Sequence, residues 1–104
     1  MSSTKEYRDY ILEQLNLVLD VSCWPMMGEF LLYADGALFG GIYDDRLLVK
    51  KVPGFNDIFE MSEVLPYEKG KPMYLVEEVD NKEVLREIIM ETCEGLKRKE
   101  ENEN

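Results

Sequence analysis

Two apolar stretches, PMMGEFLLY over residues 25–33 and FGGIYDDRLLVK over residues 39–50, lie close together and are joined through the pair Asp35-Gly36. They constrain the fold more tightly than any other part of the chain. Glycine accepts positive φ without steric cost, so Asp-Gly between apolar runs is a two-residue hairpin signal. Asp44-Asp45 supplies a second tight connection. The pattern therefore predicts an antiparallel meander with strands over residues 21–24, 30–34, 37–43 and 46–52. Pro25 ends the first and Pro53-Gly54 stops the fourth.

Register arithmetic follows from two-residue turns. Ala34 is expected opposite Ala37, Leu32 opposite Phe39, Ile42 opposite Leu47 and Gly41 opposite Leu48. Alternation of side chains across the sheet then groups Leu31, Tyr33, Leu38, Ile42, Leu47 and Val49 on one face. Phe30, Leu32, Phe39, Tyr43, Leu48, Arg46 and Lys50 share the other. The first reads as the surface that receives the long helices. The second is apolar with cations at one edge, and needs cover from the middle segment, a second subunit or a partner.

The flanking segments complete an α+β pattern. A first helix over residues 4–19 is predicted, with Ser3 and Glu6 as a capping box. Tyr7, Ile11, Gln14, Leu15 and Val18 fall on one side at helical spacing, and Leu12 reads as an ordinary exposed leucine. Residues 55–61 read as a short helix or turn and residues 62–72 as a loop. A fifth strand over 73–79 follows Lys71-Pro72, which suggests a sheet edge. Asp80 with Glu83 repeats the capping pattern and opens a last helix over 81–96. Its apolar side is Leu85, Ile88, Ile89, Thr92 and Leu96, and its glutamates form a solvated face. Residues 1–96 read as a single domain, and 97–104 as a charged, frayed tail. The fold class is α+β, an antiparallel sheet of about five strands with both helices on one face.

Composition narrows function by exclusion. The chain has 104 residues, 45% of them hydrophobic, with 12 basic and 22 acidic residues for a net charge of −10. Such a surface disfavours direct nucleic-acid binding, which depends on lysine and arginine displacing counterions. No apolar run is long enough to span a bilayer or act as a signal peptide, so no membrane association and a cytoplasmic location are expected. Cys23 and Cys93 form no C-x-x-C pair and read as reduced packing residues.

At the strands the chain resembles the N-terminal domain of TfoX (Sxy), a bacterial competence regulator. The resemblance rests on Met26-Met27-Gly28, Tyr33, Asp35-Gly36, Phe39, Ile42, Asp44-Asp45 and Leu47-Leu48-Val49-Lys50, with a leading helix, a late Pro-Met strand and a closing helix. Trp24 stands where that family usually has arginine, and Gly28-Glu29 replaces its frequent Gly-Gly, so the arginine's role is not carried over. The TfoX C-terminal domain has no counterpart in these residues. The resemblance implies a fold similar to secretion-chaperone-like folds, which often form homodimers, with no enzymatic activity and no cofactor. It also implies action through protein contact, with transcription machinery as the partner.

The residues themselves offer little chemistry. The chain has no histidine, the commonest general base and a frequent metal ligand, and Cys23 has no imidazole to activate it. Glu77 and Glu78, adjacent on a predicted strand, should face opposite ways. Gly40-Gly41 lies inside a strand and is no phosphate loop. No catalytic, cofactor-binding or metal-ligating residue is assigned. The candidate partner-contact residues are Lys50, Arg46, Phe39, Leu48, Tyr43 and Met27. The reading is a regulatory or adaptor domain. The alternative is a small-ligand-binding domain, or an enzyme, using the Lys50-bearing face as an anion site.

Overall fold

The structure, a computed structural model, describes residues 3–52 and 60–103. Helix α1 (Lys5–Gln14) leads into strands β1 (Val21–Met26), β2 (Glu29–Ala34), β3 (Ala37–Ile42) and β4 (Leu47–Val49). Strands β5 (Glu63–Val64) and β6 (Met73–Val76) and helix α2 (Lys82–Glu103) follow. The six strands form one antiparallel sheet in the order β1-β2-β3-β4-β6-β5. The α+β class and the helices on one face are as expected, with a short β5 added. Residues 53–59, and with them most of the helix or turn expected over 55–61, lie outside the described residues.

The meander is built on three tight turns. Met27-Gly28 (φ 52° and 86°), Asp35-Gly36 (50° and 79°) and Asp44-Asp45 (53° and 53°) all take positive φ at both positions. That geometry matches the right-handed twist of the strands they join. The Met27-Gly28 turn was not foreseen; it lets β1 run through Pro25 to Met26. Proline is tolerated there because β1 is an edge strand, with no neighbour requiring its missing N–H.

The left-handed aspartates of the third turn are held by the N-terminal segment. Ser3 Oγ donates to Glu29 Oε1 at 2.8 Å and accepts from the Asp45 N–H at 3.0 Å. Glu29 Oε2 accepts from the Asp44 N–H at 2.8 Å, and Asp45 Oδ1 accepts from the Thr4 N–H at 2.8 Å. Ser3 is thus occupied across the sheet end, and the helix cap passes to Thr4, whose Oγ1 accepts from the Tyr7 N–H at 3.1 Å.

The second predicted cap shifts in the same way. Asp80 accepts from the Tyr10 hydroxyl, and Asn81 Oδ1 caps α2 by accepting from the Val84 N–H at 3.1 Å. Both helix ends differ from expectation. Helix α1 stops at Gln14, yet Leu15 and Val18 still bury through the irregular turns that follow. Helix α2 runs on to Glu103 instead of fraying after Leu96, helped by an Arg98–Glu94 pair at 3.8 Å in the favourable orientation. Leu12, expected exposed, is half-buried against the core.

The predicted register fails at one point. Tyr33 pairs with Leu38 but Leu32 pairs with Gly40, so Phe39 is an extra residue in β3, a β-bulge. One inserted residue reverses the parity of β2 relative to the end of β3. Phe30, Leu32, Ala34 and Phe39 therefore join Ile42, Leu47 and Val49 under the helices, with Ile11, Leu15, Leu85 and Ile89 packed on them. Leu31, Tyr33 and Leu38 turn outward instead. Beyond the bulge the expected pairs Ile42–Leu47 and Gly41–Leu48 are present. Strand β4 ends at Val49 rather than Val52, and β6, expected at an edge, is flanked by β5.

Glycine is needed where β3 meets its neighbours. A β-carbon on Gly40 would collide with the Leu48 carbonyl oxygen. On Gly41 it would lie 2.6 Å from the Phe30 carbonyl oxygen and 2.8 Å from the Tyr43 ring. The pair is a close-approach site within the sheet, not a ligand loop.

The outer sheet face as a candidate binding surface

The sheet face turned away from the helices has two unlike halves. Over β4 and β6, Tyr43, Leu48 and Met73 form a small second core with Leu31, Val64 and Leu75. The chain that follows β5 closes over it: Pro66 is buried, and the Tyr67 ring lies 6.3 Å from that of Tyr43, tilted by 51°. Arg46 fastens this segment. Its Nε donates to the Tyr43 carbonyl at 3.1 Å, and its Nη2 donates to the carbonyls of Leu65 at 3.2 Å and Pro66 at 3.5 Å. Burial raises the Tyr43 phenol above its ordinary value of 10.0, with smaller contributions from Tyr67 and Glu29.

Over β1, β2 and the start of β3 the same face is open. Trp24 is 62% exposed and Met26 40%, with half-buried Leu31, Tyr33 and Leu38 alongside by register. Trp24 stands directly opposite Leu31 on the neighbouring strand.

The candidate residues scatter over these surroundings. Phe39 is fully buried beneath the helices, on the side opposite Leu48, which corrects the expected register. Leu48 is fully buried and Tyr43 nearly so, both within the small second core, and Arg46 is committed to three carbonyls. Met27 is 97% exposed, but at the β1–β2 turn. Lys50 alone combines accessibility with a recess. Its backbone N–H donates to Phe39 O at 2.8 Å, which anchors the end of β4, and its side chain borders a hollow of about 620 Å³.

Lys51, Lys69, Lys71 and Lys99 line the same hollow, together with Tyr43, Tyr67 and Leu38. Sequence reading missed these lysines because up to 49 positions separate them from Lys50. The one local signal was Lys69-Gly70-Lys71 within a segment read only as loop. Leu31, Tyr33 and Leu38 were missed as outward-facing residues because the bulge was invisible.

Elsewhere, Glu77 and Glu78 are both exposed and both border two further hollows, beside Asp80 and Glu83 in one and Met61 and Ile88 in the other. Strand β6 ends at Val76, so these two residues follow the strand instead of lying on it as expected. No three metal-ligating side chains gather at one point among the described residues. Cys23 and Cys93 are unbridged and half-buried, and burial raises both thiols, slowing their reaction at neutral pH. No helix among the described residues is long and apolar enough to cross a membrane.

No protein-family model matches the chain. A protein of Spirochaeta aurantia, described as an uncharacterized 12.7 kDa protein in the trpE 5′ region, is 29% identical over 80 residues. The match covers 76% of this chain and 70% of that protein.

Proposed function

We propose that the chain is a non-enzymatic regulatory or adaptor domain of TfoX N-terminal type, which holds a protein partner against the open half of its outer sheet face. The observation that carries this reading is the apolar group left there, with Trp24 62% and Met26 40% exposed beside Leu31, Tyr33 and Leu38. A large, two-torsion aromatic exposed within an apolar patch is a frequent anchor of a protein interface. Lysines border the patch beyond Leu38, so the complementary partner surface is apolar with an acidic margin. The motif resemblance would place that partner in the transcription machinery, and it also favours a homodimer.

Trp24→Lys tests the reading without touching the helix-covered core. Partners retained from the native cell by the unaltered chain should be lost by the variant, while circular dichroism and melting temperature stay unchanged. Retention of the same proteins by both would overturn the proposal. Sedimentation in parallel identifies the occupant: a dimer abolished by Trp24→Lys makes it a second copy, and a monomer at high concentration removes the dimer.

A further inference from the structure

We propose that the lysine-walled hollow at the end of β4 binds a phosphate-bearing small molecule of nucleotide size. It adjoins the Trp24 patch at Leu38, which belongs to both, but the lysines that define it lie outside that patch, so either proposal can fail without the other. Its volume, about 620 Å³, falls within the usual range for small-molecule sites. Five of the chain's 12 basic residues line it, and none of its described lining residues is acidic. In a chain of net charge −10 that segregation is the reverse of what scattering charges would produce.

One of the five lysines is already engaged. Lys51 pairs with Glu63 at 2.6 Å and lies 5.9 Å from the centre of the Tyr74 ring. Lys50, Lys69, Lys71 and Lys99 take part in none of the ion pairs among the described residues. Four ammonium groups gathered around one recess repel one another and concentrate positive potential there. A multivalent anion relieves that repulsion, and lysine suits phosphate as a mobile point charge with three donors.

The walls add an aromatic element. Tyr67 is 59% exposed and forms one side of the hollow. The Gly70 N–H donates to Tyr67 O at 2.9 Å, closing a turn that presents Lys69 and Lys71 beside that ring. A β-carbon on Gly70 would lie 2.8 Å from Pro66 Cγ and 3.1 Å from the Tyr67 ring, so a larger residue there would have to displace one of those rings. An exposed ring beside a lysine-lined recess fits a base joined to phosphates. A long polyanion fits poorly, because the rest of the chain carries an even larger excess of acidic groups.

Titration calorimetry and thermal shift with ADP, pyrophosphate and adenosine, at about 0.15 M salt to screen loose surface attraction, test the site. ADP should bind and raise the melting temperature, pyrophosphate should bind more weakly, and adenosine should give no shift. Lys50→Ala, Lys69→Ala and Lys71→Ala should each weaken ADP about tenfold, the ratio expected for one charge-assisted contact. Lys82→Ala, whose side chain pairs instead with Glu13 at 3.5 Å, should leave ADP binding unchanged. Amide shifts of Lys50 and Gly70 on adding ADP would place the ligand even if a variant folds poorly. Failure of ADP and pyrophosphate to bind, or equal binding by the triple alanine variant, overturns the site. Tighter binding of a single-stranded oligonucleotide than of ADP overturns the size class.

Discussion

The two sides of one sheet carry similar residues and hold them in opposite states. Beneath the helices, Phe30, Leu32, Phe39, Ile42, Leu47 and Val49 are all at or below 7% exposure. On the outer side the apolar residues divide: Tyr43 and Leu48 are buried in a small core that Tyr67 borders, while Trp24 and Met26 remain in water. The difference does not arise from hydrophobicity, since a tryptophan is exposed and a glycine pair is buried. It arises from what the connections can reach. Two helices span the inner side, but the one outer flap, among the described residues, is pinned near β4 by Arg46 and stops short of β1.

The largest effect should come from breaking the inner side. Phe39→Ala removes a fully buried ring from the bulge position, and the expected cost is about 3–5 kcal/mol, the range for deleting a buried aromatic. Denaturant titration measures it directly. A loss no larger than that of an exposed residue would show Phe39 turned outward after all, and would restore the face assignment that alternation alone predicts.

That single residue also marks the limit of what the sequence makes legible. The α+β class, the two long helices, the Asp35-Gly36 and Asp44-Asp45 turns and the pairings beyond Gly40 all follow from periodicity and turn chemistry. The bulge does not, because nothing in the order of apolar residues distinguishes one extra residue in β3 from a regular hairpin. Gly40-Gly41 hinted at close approach without locating it. The caps moved by one residue for a similar reason: Ser3 and Asp80 had better partners far away, in Glu29 with Asp45 and in Tyr10. Of the proposed site's lysines, only Lys50 was singled out in the sequence, and it lies just past the end of β4 instead of on the strand. The lysines that join it come together only through folding.

A middle-sized effect should sharpen the contrast within the outer face. Arg46→Ala leaves the carbonyls of Tyr43, Leu65 and Pro66 without that donor. The expected destabilisation is about 1–2 kcal/mol, since hydrogen bonds to a charged group contribute more than neutral ones and water replaces part of the loss. Hydrogen exchange should accelerate in residues 64–70 and at Tyr43, and stay unchanged beneath the helices. Uniform acceleration throughout the sheet would mean the two sides unfold as one unit, and that the flap has no separate opening.

The smallest expected effect appears only at high pH, and it compares Tyr43 under the flap with Tyr7 on the helix side. Burial is the first cause of a raised phenol at both, followed at Tyr7 by the charges of Asp45 and Asp80. Below pH 10 both phenols are neutral whether the chain is folded or not, so they add no pH dependence. Above it the unfolded chain ionises first, and stability falls until pH passes the raised folded values. Lys51 acts in the same direction, because its bond to Glu63 favours the protonated amine and that support is lost as the amine deprotonates. Tyr43→Phe and Tyr7→Phe should each flatten the alkaline limb by at most about 1.4 kcal/mol per pH unit, the limit for one proton. A flattening confined to Tyr7→Phe would show that the flap opens before Tyr43 ionises, and the sealed half of the outer face would then be no more closed than the half around Trp24.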